Sequence, residues 1–117
     1  MTQEEKELLL KDLCGRLPYG VRIKLNGRRE TSKLTIDWLY TYSRHIEDIK
    51  PYLRSLSSMT EEEENEYQDI VQNDGNWVNL LSQNLIDFFN RYHFDYRGLI
   101  EKGLALEATE NMYTKTE

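Results

Sequence analysis

The strongest pattern in this chain is an apolar stripe in its second half. Large apolar side chains recur there at steps of three and four, namely Trp77, Leu81, Leu85, Phe88 and Tyr92, with Val78, Ile86 and Phe89 beside them. This spacing is typical of one face of an α-helix, and the polar residues between them are neither β-branched nor helix breakers. The pattern predicts a core helix over residues 77–92, around which the rest of the chain folds.

A second apolar stripe near the N-terminus predicts a helix from about Gln3 to Cys14. Thr2 and Glu5 form a capping box at its start, and Gly15 is expected to end it. Cys14 has no second cysteine in the chain and no neighbouring histidine. We interpret it as a buried structural thiol rather than a nucleophile or a metal ligand.

The pattern changes to a period of two after Gly20. Apolar and basic residues alternate from Val21 to Leu25, which predicts a strand, and Asn26-Gly27 predicts a hairpin turn of type I′. A second alternation from Leu34 to Ser43 predicts two short strands, with one continuous strand as the alternative. These residues predict a small antiparallel three-stranded meander over about residues 20–45.

The middle of the chain predicts connecting structure. His45–Leu53 is expected to form a short turn of helix that ends at Pro51, because the residue before a proline disfavours the α conformation. Arg54–Met59 is a serine-rich linker. The two segments join the predicted meander to the C-terminal helices.

Two helices are predicted to pack antiparallel in the C-terminal half. Thr60 and Glu63 form a second capping box, and a helix is expected from about Thr60 to Gln72. The turn Asn73–Asn76 separates it from the core helix, and helices joined by so short a loop pack antiparallel.

The last part of the chain predicts one more short helix, over Tyr96–Lys102, capped by Asp95 and closed by Gly103. Residues 109–117 have no period and are expected to fray. The fold class is therefore predicted as α+β, with the meander packed against an N-terminal helix, a C-terminal helical pair and a short last helix. Residues 1–108 are expected to form a single domain.

Composition narrows the class of protein. The chain has 117 residues, 13 of them aromatic, which suits one domain with an aromatic-rich core. No apolar run approaches the roughly 18 residues that a membrane span requires. The single cysteine cannot form an internal disulfide, and this suits a reducing compartment. We expect a cytoplasmic protein that does not contact a membrane.

Three blocks of the chain resemble a group of short, uncharacterised proteins encoded in prophage and mobile-element regions of gut anaerobe genomes. The blocks are MTQEEKELLLKDLCGRLPYGV, IEDIKPYLRSLSSMTEEE and HFDYRGLIEKGLALEA, about half of the chain. The group often has a proline after the arginine of PYLR, where Ser55 stands in this chain. The resemblance implies a small regulatory or host-interaction protein, and it brings no activity, cofactor or site residue with it.

The residue types that carry catalysis or bind metals do not cluster in the sequence. The two histidines, His45 and His93, have no ligand-spaced partner, and the chain contains no phosphate-binding loop or nucleophile motif. We therefore expect no metal, no cofactor and no enzymatic activity. The enzyme alternative would require His93, Asp95 and Arg97 to converge in a cleft.

The charge distribution is the most informative functional feature. The net charge is −6, yet the segment from Gly20 to His45 carries six basic and two acidic residues. We expect a basic, aromatic-bearing sheet face that binds a protein partner, and a nucleic-acid-binding module that uses the same sheet is the alternative. The candidate partner-binding residues are Arg22, Lys24, Arg28, Arg29 and Tyr42.

Overall fold

A computed structural model gives the fold and describes residues 1–29, 31–42, 44–73, 83–109 and 112–113. Within these residues the chain forms four α-helices and a four-stranded mixed sheet, which confirms the α+β class. None of the helices in this part of the chain is long and apolar enough to cross a lipid bilayer.

Helix α1 (Gln3–Arg16) begins with the predicted capping box. The Glu5 N–H donates to Thr2 Oγ1 (3.1 Å), and the Thr2 N–H donates to Glu5 Oε1 (2.9 Å). The buried face of the helix consists of Leu9, Asp12, Leu13 and Arg16. Cys14 lies off this face and is exposed, so the prediction of a buried thiol is wrong.

The predicted end of α1 at Gly15 is also wrong. The helix continues through Gly15, passes into a 3-10 helix over Leu17–Tyr19 and ends at Gly20, whose φ of 72° is left-handed. A Cβ atom at position 15 would lie 3.3 Å from Asn90 Nδ2. Gly15 therefore permits a close approach between two segments rather than ending the helix.

The sheet contains β1 (Arg22–Leu25), β2 (Thr31–Lys33), β3 (Ile49–Leu53) and β4 (Leu106–Glu107), in the order β2-β1-β3-β4. Strand β1 pairs antiparallel with β2 and β3, and β4 joins β3 in parallel. The predicted three-stranded meander over residues 20–45 is therefore only partly correct. That stretch supplies β1 and β2, while the other two strands come from later in the chain.

The turn after β1 lies where it was predicted but has a different type. The Arg28 N–H donates to Leu25 O (3.0 Å), which closes a four-residue turn. The φ angle is positive at Gly27 (84°) and not at Asn26. This is the pattern of a type II turn, whereas type I′ needs a positive φ at both central residues.

Helix α2 (Ile36–Thr41) forms where two strands were predicted over Leu34–Ser43, so that prediction is wrong for the described residues. Ser43 itself lies outside the described residues. Thr35 Oγ1 accepts the Trp38 N–H (3.3 Å) and caps the helix. The side chains of Trp38, Leu39 and Tyr42 pack against the core at helical spacing. The alternating residues Ile36 and Tyr40 are instead 69% and 83% exposed, so the period of two did not reflect burial.

The helix predicted over His45–Leu53 is only partly correct. A 3-10 turn forms at Ile46–Asp48, and β3, which contains Pro51, begins directly after it. The Asn26 N–H donates to Asp48 O (2.8 Å), so these two residues form a hydrogen-bonded pair at the end of the β1–β3 ladder. Along an antiparallel ladder, hydrogen-bonded pairs alternate with non-hydrogen-bonded pairs. In the observed register Ile23 faces Pro51 at a non-hydrogen-bonded position. The missing N–H of the proline therefore removes no bond to β1.

Helix α3 (Glu61–Asn73) begins with the second predicted capping box. The Thr60 N–H donates to Glu63 Oε1 (2.9 Å), and the Glu63 N–H donates to Thr60 Oγ1 (3.2 Å). Helix α4 (Gln83–Arg91) is the described part of the predicted core helix. Trp77 and Leu81 of that helix, and the predicted turn at 74–76, lie outside the described residues.

Helices α3 and α4 pack antiparallel, as predicted. Arg54 bonds both to Glu63 in the first turn of α3 and to the carbonyl oxygen of Tyr92 just after α4, whereas Tyr67, one turn further along α3, contacts Phe88, one turn earlier along the chain. Their shared core is aromatic: Phe88 is fully buried, and its ring centroid lies 6.2 Å from that of Tyr67 and 6.0 Å from that of Phe94. A separate apolar cluster joins α1 to the inner face of the sheet.

The short helix predicted over Tyr96–Lys102 does not form. Turns replace it, with a left-handed backbone at Gly98 (φ 73°) and, as predicted, at Gly103 (φ 77°). Asp95 still accepts backbone N–H groups, those of Leu99 (2.8 Å) and the residue after it (3.0 Å). The carboxylate therefore holds a turn closed rather than capping a helix.

Candidate functional site

One face of the sheet is turned away from the apolar core and carries positive charge. On β1, Ile23 and Leu25 are buried, while Arg22 is half-buried and Lys24 is exposed. On β3, Lys50 and Tyr52 alternate in the same way with the buried residues Ile49, Pro51 and Leu53. Since side chains alternate between the two faces of a strand, the basic residues share the outer face.

The strand register places like charges directly opposite each other. Lys24 faces Lys50 across the β1–β3 ladder, and Arg22 faces Lys33 across the β1–β2 ladder. We call these four residues the basic face. The Arg22 guanidinium donates to Thr31 Oγ1 (2.7 Å), and none of the four forms a salt bridge with a carboxylate of the described residues.

The other predicted partner-binding residues lie beside the basic face or away from it. The Arg28 guanidinium lies over the Trp38 ring, 5.3 Å from its centroid, and Arg29, which follows the turn, is exposed. Tyr42 follows α2 and packs against Trp38, with ring centroids 6.1 Å apart. The structure therefore brings Arg22 and Lys24 together and places Tyr42 in the packing of α2 rather than on a strand.

Lys50 and Lys33 are not among the residues predicted to bind a partner, although Lys33 is one of the six basic residues between Gly20 and His45. The sequence places Lys50 in the predicted connecting turn of helix, which is expected to end at Pro51. The alternation of buried Ile49, Pro51 and Leu53 with the polar side chains between them was the signal that could have revealed a strand.

A cleft of about 750 Å³ lies between the start of α3, the end of α4 and the C-terminal segment. Arg54 crosses it and donates to both carboxylate oxygens of Glu63 (2.7 and 2.8 Å). Burial raises the pKa of Glu63, but hydrogen bonds from Arg54 and from the Thr60 N–H more than offset this effect, so that the pKa lies below its usual value. Both charges of the pair are thus satisfied within the protein.

His93 lines the same cleft and has an unusual environment. Its φ of 64° is left-handed, its side chain is 8% exposed, and Nδ1 has no hydrogen-bond partner among the described residues. Its ring stacks on Tyr113 at 3.8 Å between centroids. Burial, together with the nearby charges of Arg16 and Arg54, lowers the pKa of His93 to about 4. The ring is therefore neutral at pH 7, and it packs just after the end of α4.

The residues of the enzyme alternative make separate contacts. His93 stacks on Tyr113, the Asp95 carboxylate is occupied by two backbone N–H groups, and the Arg97 guanidinium donates to Asp12 Oδ1 (3.1 Å). No group of three or more histidine, cysteine or acidic residues in the described ranges is arranged to hold a metal ion.

A buried ion pair joins α1 to the segment after α4. Arg16 Nε donates to Asp12 Oδ2 (2.7 Å), and both side chains are fully buried. Arg16 Nη2 donates to Phe94 O (2.7 Å), which crosses 78 positions of the sequence. The spacing of Asp12 and Arg16 by four residues on the apolar side of α1 was the only signal for this pair in the sequence.

Comparison of this chain with models of known protein families, with curated proteins and with solved structures finds no match.

Proposed function

We propose that this chain is a small non-enzymatic interaction protein that binds an acidic segment of a protein partner through the basic face. The observation that carries the proposal is that two pairs of like-charged residues lie opposite each other on neighbouring strands, Lys24 with Lys50 and Arg22 with Lys33. The reducing compartment favoured by the single cysteine makes the cytoplasm the expected place of action.

Like charges directly opposite each other destabilise a sheet by up to about 1 kcal/mol for each pair. A bound carboxylate between Lys24 and Lys50 would turn this repulsion into attraction. The remainder of the chain is strongly acidic, so a partner with local negative charge would be oriented towards the sheet and away from α3.

The neighbouring surface favours a protein over a nucleic acid. Ile36 lies three residues after Lys33, and at this separation the two Cα atoms are at most about 11 Å apart. Ile36 and Tyr40 are the most exposed large apolar side chains of the described residues. Protein interfaces combine such apolar contacts with a charged rim.

A nucleic-acid ligand is the second candidate, and Tyr52 supports it. This side chain is half-buried on the same face as Lys50 and could stack on a base. The resemblance to mobile-element proteins, which implies a regulatory or host-interaction role, fits either ligand.

The test is fluorescence anisotropy with a labelled poly-glutamate peptide and, in parallel, a labelled poly-uridine oligonucleotide. We expect the peptide to bind at low salt and to be released as the salt concentration rises. The double variant Lys24→Glu/Lys50→Glu should weaken binding at least about tenfold, which corresponds to about 1.4 kcal/mol.

The matched control is Lys11→Glu/Lys102→Glu, which changes the net charge equally at two exposed positions away from the sheet. It should bind the peptide almost as well as the wild type. Equal affinities of the two double variants, or no peptide binding by the wild type, would refute the proposal. Tighter binding of poly-uridine than of the peptide, abolished by Lys24→Glu/Lys50→Glu, would favour the nucleic-acid function.

A further inference from the structure

The hydroxyl group of Tyr113 lies between two neighbouring strands. It accepts the Arg22 N–H of β1 (2.7 Å) and donates to the Tyr52 carbonyl oxygen of β3 (2.7 Å). These bonds link residues separated by 91 and 61 positions in the sequence. One side chain near the C-terminus thus satisfies a backbone donor and a backbone acceptor of the sheet.

The register shows which bond this hydroxyl replaces. The β1–β3 ladder pairs Leu25 with Ile49, Lys24 with Lys50 and Ile23 with Pro51, and the next pair in this register is Arg22 with Tyr52. Asn26 and Asp48 form a hydrogen-bonded pair, and every second pair of an antiparallel ladder is of this type. The pair of Arg22 with Tyr52 is therefore at a hydrogen-bonded position.

At this end of the ladder the Tyr113 hydroxyl stands between the Arg22 N–H and the Tyr52 carbonyl oxygen. Two bonds of 2.7 Å in series allow a separation of up to twice 2.7 Å, or about 5.4 Å, between Arg22 N and Tyr52 O. A direct backbone bond would need about 2.9 Å. The Tyr113 ring is kept in place by stacking on His93 and by packing against the core cluster of the sheet.

We propose that Tyr113 is a removable wedge that holds β1 and β3 open at the Arg22 end of the sheet. When the side chain leaves, the Arg22 N–H bonds directly to Tyr52 O, which completes the residue pair at the end of the ladder. The direct bond offsets part of the loss of the two bonds to the hydroxyl. The strand pair therefore has two arrangements, one with Tyr113 in place and one with a direct backbone bond, and a conformational switch requires two such states.

Arg22 connects the wedge to the basic face, because it contacts Tyr113 and is itself one of the four residues of the basic face. Its backbone N–H contacts Tyr113, and its side chain lies beside Lys24 and Lys33 on the outer face. A ligand of the basic face that draws Arg22 towards β3 would release the wedge, and loss of the wedge would move Arg22. This coupling rests on the proposed function, whereas the wedge itself does not.

The experiment compares two variants of the full chain by NMR. Tyr113→Leu keeps an apolar contact with His93 but is too short to reach the strands, so the ladder should close. A coupling through the hydrogen bond between Arg22 N and the Tyr52 carbonyl carbon should then appear, although the wild type lacks it. Tyr113→Phe keeps the ring in place and removes only the hydroxyl, so the Arg22 N–H should lose its partner.

The smaller side chain is therefore expected to protect the Arg22 amide better. Its hydrogen exchange should be at least about tenfold slower in Tyr113→Leu than in Tyr113→Phe, as expected for one backbone hydrogen bond. Equal or faster exchange in Tyr113→Leu, with no coupling to Tyr52, would overturn the proposal. These measurements need no ligand, so their failure is distinct from a failure of peptide binding.

Discussion

Mild acid should destabilise this protein through His93. The pKa of His93 is about 4 in the folded protein and about 6.5 when the imidazole is in water. Between these values the unfolded chain takes up a proton that the folded protein does not bind. The free energy of unfolding is therefore undiminished above about pH 6.5 and falls as the pH drops towards 4.

The size of the effect follows from the difference of about 2.5 pH units. Complete protonation would remove about 3.4 kcal/mol, and lowering the pH from about 7 to about 5 should remove about 2 kcal/mol. The contribution of Glu63 changes mainly below this range, because its pKa in the folded protein lies below the usual value of 4.5 and the stability it adds is lost as the pH falls past that value. Urea unfolding followed by circular dichroism at the two pH values measures the change.

The matched variant is His93→Asn, because asparagine tolerates the left-handed backbone at this position. It should be less stable at neutral pH, since it loses the stacking on Tyr113, but its stability should not fall between pH 7 and pH 5. His45→Asn, at an exposed position, should retain the wild-type pH dependence. If wild type and His93→Asn lost the same free energy, the burial of the neutral imidazole would not be the cause. An NMR titration of the His93 ring with a midpoint near 6.5 would lead to the same conclusion.

Three further predictions concern other buried polar groups. Burial raises the pKa of Tyr113 to about 12, so this residue should lower the free energy of unfolding by about 2–3 kcal/mol between about pH 10 and pH 12, and Tyr113→Phe should remove most of the fall seen in urea titrations. Asp12→Asn leaves the guanidinium of Arg16 buried without its counter-charge and should lower the free energy of unfolding by about 3–5 kcal/mol, whereas replacing both residues by apolar ones should have a much smaller effect in the same assay. Arg54→Lys loses the bidentate contact with Glu63 and should lower the free energy of unfolding by about 1 kcal/mol. Arg91→Lys changes a more exposed ion pair and should lower it by less than about 0.5 kcal/mol. Equal effects of the two variants in chemical denaturation would contradict this reasoning.

The features that sequence analysis predicted correctly depend on local interactions. The capping boxes at Thr2 and Thr60 each join residues three positions apart, and both are formed. Strand β1 was recognisable because one of its faces is buried and the other is solvated, which produces a clean alternation. In these places the local preference of the chain and its tertiary packing agree.

Helix α2 was missed because its sequence contains two patterns at once. Ile36, Trp38 and Tyr40 alternate like a strand and have side chains that favour strands. The fold instead buries Trp38, Leu39 and Tyr42, which are spaced like one face of a helix, and Thr35 caps the start. Tertiary packing decided between the two patterns, and no local signal ranks them.

The contacts that define the candidate sites join distant parts of the chain. The bond from Arg22 to Tyr113 and the bond from Arg16 to Phe94 cross 91 and 78 positions. The pairing of Lys24 with Lys50 depends on a strand that sequence analysis had assigned to a helix. These contacts depend on register and packing, which residue spacing alone does not determine.

The two outermost strands limit how the sheet can associate with other chains. Strand β2 has only three residues and leads directly into α2, and β4 has only two. Such short borders offer few free backbone groups to an incoming strand, and Lys33 adds a charge at the end of β2. Pairing of strands from separate molecules, whether in recognition by strand addition or in aggregation, is therefore disfavoured. The binding proposed for this sheet would therefore rely on the side chains that project from it.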